Sequence, residues 1–124
     1  MMMRSALLLA VALVATAPPA RAADPARGEE KFAQDCVACH TMTGEHGLGP
    51  GLRGVIGRRA GSLEDFRYSP AMRRSAVVWS PATLEAFLAE PQGVVRGNRM
   101  PFGGVENATD RADIVAYLAR GSPP

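Results

Sequence analysis

Apolar residues recur at helical spacing in three stretches of the chain, and they nowhere alternate over strand length. The first stretch runs from about Pro25 to Val37 and puts Phe32 and Cys36 on one face, four residues apart. Asp24-Pro25 ahead of it reads as an N-cap followed by proline at the first helical position. The second opens at Ser80-Pro81, carries Leu84, Phe87 and Leu88, and is stopped by Pro91. The third is capped by Thr109, turns Ile114, Val115 and Leu118 inward, and ends at Gly121. A shorter helix is predicted from Ser69-Pro70 to about Ser75. Two segments read as loop: Thr41 to Gly61, with seven glycines and one proline, and Gln92 to Val105. The pattern is therefore all-α, about four short helices joined by long loops. Loops of that length are uncommon in a compact domain unless something else organises them. Small domains commonly need a disulfide, a metal or another added group. The pattern asks for a cofactor.

One apolar run stands outside this scheme. Ala6 to Ala17 is built of Ala, Leu, Val and one Thr, preceded by Arg4 and broken by Pro18-Pro19. Ala20-Arg21-Ala22 then supplies a small-x-small pattern. This predicts a secretory signal peptide over residues 1–22, cleaved between Ala22 and Ala23, with one domain over residues 23–124. The run is short for a membrane anchor, which needs about 20 residues. The full chain has 124 residues, 14 basic and 12 acidic. Discounting Arg4 and Arg21 leaves 12 basic residues against 12 acidic. A balanced charge excludes a nucleic-acid binder, which needs surplus cations for phosphate. Export places the mature protein in the periplasm, with no stable membrane insertion after cleavage.

The chemistry sits at Cys36-Val37-Ala38-Cys39-His40. Two thiols three residues apart can each add to a vinyl group of one porphyrin, and the adjacent imidazole can meet its iron from one face. Two other readings compete. A redox dithiol of the thioredoxin type expects a preceding strand and a βαβ pattern; here a helix precedes and a glycine-rich loop follows. A structural zinc site wants two further Cys or His ligands, and only His46 remains.

From Gly28 to the C-terminus the chain resembles the class I cytochromes c, the mitochondrial and bacterial electron carriers. The likeness rests on Gly28 and Phe32, the Cys36–His40 motif, His46, Gly49-Pro50, Leu52, Gly57-Arg58, Tyr68 and Trp79. It continues through Leu84 to Pro91, Gly97 to Phe102 and Asp113 to Leu118. It implies an all-α fold wrapped around one covalent haem c, with the first and last helices crossing. It implies Met100 as the sixth iron ligand opposite His40, a soft thioether that raises the potential relative to a second histidine. Met42 lies too close to His40 to reach the opposite haem face easily, Met72 is read as packing, and His46 as a structural donor between loops. The Pro50 carbonyl is expected to accept the Nδ1 proton of His40. Arg58, Tyr68 and Trp79 are expected to hold the haem propionates, and Phe102 to cover the haem edge. Phe87 stands where the family often has tyrosine, and Met72 where asparagine is common. Lys31 is the only lysine, so the lysine ring of the eukaryotic family is missing. Arg96 and Arg99 form a smaller basic patch beside the Met100 loop.

These features point to a monomeric, non-enzymatic shuttle of single electrons through a His/Met-ligated c-type haem. Its expected partners are redox proteins: a bc-type complex, an oxidase, a reaction centre or a dehydrogenase. Two alternatives remain open at this level. One is a peroxidase-like or gas-sensing haem protein with a displaceable Met ligand. The other is a dedicated cytochrome subunit of a larger oxidoreductase.

Overall fold

The computed structural model describes residues 11–18 and 21–122. Among these described residues are five helices: α1 (Pro25–Asp35), α2 (Pro70–Arg74), α3 (Pro81–Ala89), α4 (Pro91–Val94) and α5 (Ala108–Arg120). Among the described residues the only β pairing is an isolated antiparallel bridge between Arg59 and Val78. The leader expectation falls largely on residues 1–10, 19 and 20, which lie outside the described residues. Residues 11–18 form no regular element, and Val11, Leu13 and Val14 are exposed. No described helix is long and apolar enough to cross a membrane.

Local chemistry sets most helix starts. The Asp24 carboxylate accepts from the Ala26 N–H, with Pro25 in the first turn. Ser69 accepts from the Met72 N–H. Ser80 and Thr83 bond each other's backbone N–H groups in a reciprocal cap. Three boundaries differ from the sequence reading. First, α1 stops at Asp35, because the Cys36 and Val37 N–H groups both turn back to the Phe32 carbonyl. Second, Pro91 ends α3 and also opens the one-turn helix α4 in a stretch read as loop; its ring suits a first turn as well as it breaks an interior. Third, α5 is capped by Asn107, whose side chain accepts from Asp110 N–H, and not by Thr109. Gly121 does close α5, but at a φ of −80° rather than in the left-handed region.

The helices α1 and α5 cross at Gly28. A Cβ there would run into the Asp113 carbonyl oxygen, so only glycine permits this approach. Phe32 meets Tyr117 across the crossing, ring centroids 5.4 Å apart. Phe32, Ile114, Val115 and Leu118 are buried there, and Leu84, Phe87 and Leu88 of α3 complete the packing. The long segment after His40 is pinned at intervals. Leu52 N–H donates to Thr41 O, Gly54 N–H to Gly121 O at 2.8 Å, and Gly57 N–H to Trp79 O at 2.6 Å. These ties draw the loop around a hollow that the helices alone do not fill.

Candidate haem-binding site

The hollow is a cavity of about 660 Å³, within the roughly 300–1,000 Å³ span of ligand and cofactor pockets. Nine residues singled out in the sequence meet on its walls: Cys36, Cys39, His40, Pro50, Arg58, Tyr68, Trp79, Met100 and Phe102. Phe32, Phe87, Leu88 and Ile114 supply apolar lining between them. His46 and Met42 do not line it, whereas Met72 does.

The end of α1 delivers the thiols. His40 N–H returns to Cys36 O at 2.9 Å, a tight turn that brings Cys36, Cys39 and His40 to one wall. Burial, reinforced by Asp35 and Cys39, pushes the Cys36 thiol up to about 11. No disulfide joins the two cysteines.

The His40 Nδ1 lies 2.8 Å from the Pro50 carbonyl oxygen. A carbonyl only accepts, so Nδ1 carries the proton and the Nε2 lone pair stays free. Burial lowers the His40 pKa against the pull of that bond, with Arg58 adding to the fall. The ring is held neutral, as a metal ligand must be. Gly49 makes room for it, since a Cβ there would strike the imidazole.

Met100 also lines the cavity, half-buried against the core. Its N–H donates to Asn98 Oδ1 at 2.9 Å. Asn98 is 7% exposed, and its Nδ2 donates to Pro91 O at 3.1 Å and Val95 O at 2.8 Å. Gln92 adds a second strut, donating from Nε2 to Asn98 O and accepting from Gly97 N–H. The sequence reading missed both residues. The one available signal was an asparagine two positions before the methionine.

Arg58 is half-buried at the cavity and donates from Nη2 to Gly51 O at 3.0 Å. Desolvation by burial lowers its pKa, opposed by Tyr68. A guanidinium brought to this wall calls for an anion inside. Tyr68 and Trp79 are buried on the same cavity, the indole packed on Phe87 with centroids 4.9 Å apart. His46 instead ties two loops: Nδ1 accepts from Gly51 N–H at 2.9 Å, and Nε2 lies 3.0 Å from Asp65 Oδ1.

Two thiols, a neutral imidazole, a thioether and a cation around an apolar hollow match the vinyls, iron and propionates of one haem. Fold and site together define an all-α protein of the c-type haem class. Comparison with known proteins agrees. Residues 23–118 match the family model described as cytochrome c oxidase, cbb3-type, subunit III. The cytochrome c2 of Rhodomicrobium vannielii is 43% identical over 114 residues, covering 90% of each chain. The cytochrome c of Chlamydomonas reinhardtii is 39% identical over 88% of this chain and 99% of that one. The cytochrome c-type cyt cy of Rhodobacter capsulatus is 42% identical over 107 residues, 86% of this chain; the present chain spans about half of that longer protein, 54%. This chain belongs to the class I cytochrome c family, whose cofactor is covalently bound haem c.

Proposed function

We propose that the protein is a periplasmic single-electron shuttle, matured by cleavage between Ala22 and Ala23. The observation that carries the reading is the convergence of Cys36, Cys39, His40 and Met100 on one apolar cavity. Cys36 and Cys39 would hold the haem as thioethers, and His40 and Met100 would ligate its iron. When bound, haem c supplies a one-electron iron couple. The chain sets the conditions for its use. Pro50 fixes the imidazole plane and makes Nε2 a stronger donor. Met100 would offer the iron a neutral sulfur that favours the reduced state. Arg58, with Tyr68 and Trp79, neutralises and hydrogen-bonds the propionates. The apolar lining keeps water out, and Phe102 shields the edge.

With His40 and Met100 both held to the iron, no position would remain for a substrate, and the reading is of a carrier rather than an enzyme. The partners are redox proteins: a bc-type complex, a terminal oxidase, a photosynthetic reaction centre or a periplasmic dehydrogenase. The carrier acts as a monomer, without nucleic acid and without stable membrane insertion. The test is an optical and redox titration of the purified mature holoprotein. The expected result is a low-spin spectrum in both oxidation states, with a sulfur–iron charge-transfer band at the red end when oxidised. Absence of that band removes Met100 from its role. Rapid carbon monoxide binding by the reduced native protein at neutral pH would replace the shuttle by a gas- or peroxide-reactive haem protein. Co-purification with one fixed partner would make it a dedicated subunit.

A further inference from the structure

We propose that Asp113 is a binding site for the chain's own processed N-terminus: the α-ammonium of Ala23 takes the place on its carboxylate that Arg21 fills before cleavage. The inference rests on the cleavage reading above.

Asp113 sits on α5 where α1 crosses it and is 1% exposed. Its donors all come from one short stretch of chain. Asp24 N–H donates to Oδ1 at 2.7 Å, Arg21 Nη2 to Oδ2 at 2.8 Å, and Arg27 Nε to Oδ2 at 3.2 Å. Arg27 is shared, because its Nη1 also pairs with Asp24 Oδ2 at 2.8 Å. Along the crossing, Lys31 pairs with Asp110 at 3.2 Å, and burial, with the Glu29 charge, raises the Tyr117 phenol pKa.

Cleavage after Ala22 removes Arg21, the carboxylate's unshared cation. A buried carboxylate that loses a cation is expensive to keep charged. The same hydrolysis supplies the replacement. Water adds across the Ala22–Ala23 peptide bond, Ala22 leaves as a carboxylate, and the Ala23 nitrogen becomes an amine that takes a proton at neutral pH. That nitrogen lies one residue, about 3.5 Å of chain, from the Asp24 N–H already bonded to Asp113. Processing thus exchanges a long side chain, half-exposed in the contact, for a short charge on the backbone itself, which has less rotamer freedom to lose.

The test exploits a chain with a single lysine. Reductive ¹³C-methylation of the secreted, reduced holoprotein gives two amine signals, Lys31 and the N-terminus, which NMR follows against pH. The α-amine is expected to titrate above about pH 9, against an ordinary range of about 7.7–8.0. D113N returns it to that range. If D113N does not fold, a chain with one alanine inserted after Ala22 keeps Asp113 but moves the charge, and its α-amine returns to the ordinary range with a lower Tm. The folded pKa is raised, so the Tm advantage of the native N-terminus is full below about pH 7.7 and disappears as pH rises through the folded value. An α-amine of ordinary titration in the native chain overturns the proposal. Intact mass separates the two readings. A mature chain starting elsewhere than Ala23 removes both; one starting at Ala23 with an ordinary α-amine removes only the Asp113 site.

Discussion

The wall that carries His40 and the wall that carries Met100 reach the same cavity by different routes. On the first, both thiols and the imidazole lie within five consecutive residues, and the ring is locked by a carbonyl ten positions on. On the second, a one-turn helix and a loop are held in shape by two amide side chains, Asn98 and Gln92, bonded to backbone. The first is a short, stiff turn. The second is a polar clasp around an apolar loop, with few regular hydrogen bonds beneath it, and such segments open at lower free energy than the core. Under the proposed ligation, Met100 on the clasped side is therefore the side chain that yields first.

The largest test of this contrast removes the stiff side. C36S/C39S should yield secreted protein without haem absorbance and with most helical circular dichroism lost, since the cavity then has no filling. A folded, colourless product would contradict the cofactor-dependent core. Next comes G28A, which drives a methyl group into the Asp113 carbonyl and should cost on the order of 3 kcal/mol, read as a fall in Tm on both sides of the cavity alike. M100A should leave covalent haem in place, abolish the red charge-transfer band and let carbon monoxide bind the reduced protein. N98A should cost about 1–3 kcal/mol, because buried carbonyls lose their donor; the red band should weaken before the protein unfolds. If N98A keeps the wild-type band and Tm, the clasp is not what holds the second wall. The smallest effect is D65N. His46 holds the Asp65 carboxyl below its usual pKa, so its contribution is present at neutral pH and lost on acidification. The Tm gap between wild type and D65N should close below about pH 4.

What was readable from sequence follows the same division. The stiff wall is a motif of fixed spacing, and the helix starts at Asp24-Pro25, Ser69-Pro70 and Ser80-Pro81 announce themselves through local side-chain caps. The clasp is not local in that sense. Asn98 reaches back seven residues to Pro91, and from sequence it is one more polar loop residue. For the same reason α4 is not legible as a helix: its four residues carry no periodicity, and Pro91 announces only the end of α3. Thr109 is the cap the sequence predicts and Asn107 the cap the structure has, with Arg111 holding the Val105 and Glu106 carbonyls just ahead of it. Asp113 falls within the stretch that resembles the family, yet its burial is set by residues almost ninety positions earlier. No window along the chain contains both partners.

The pairing of α1 with α5 also governs timing. Phe32 finds its cover on the last helix, so a chain emerging N-terminus first has no means of closing its core until nearly all of it has been delivered. Contacts that join distant segments form slowly. Under the proposed export, the two cysteines would stay open to haem for as long as the final turn is still to come.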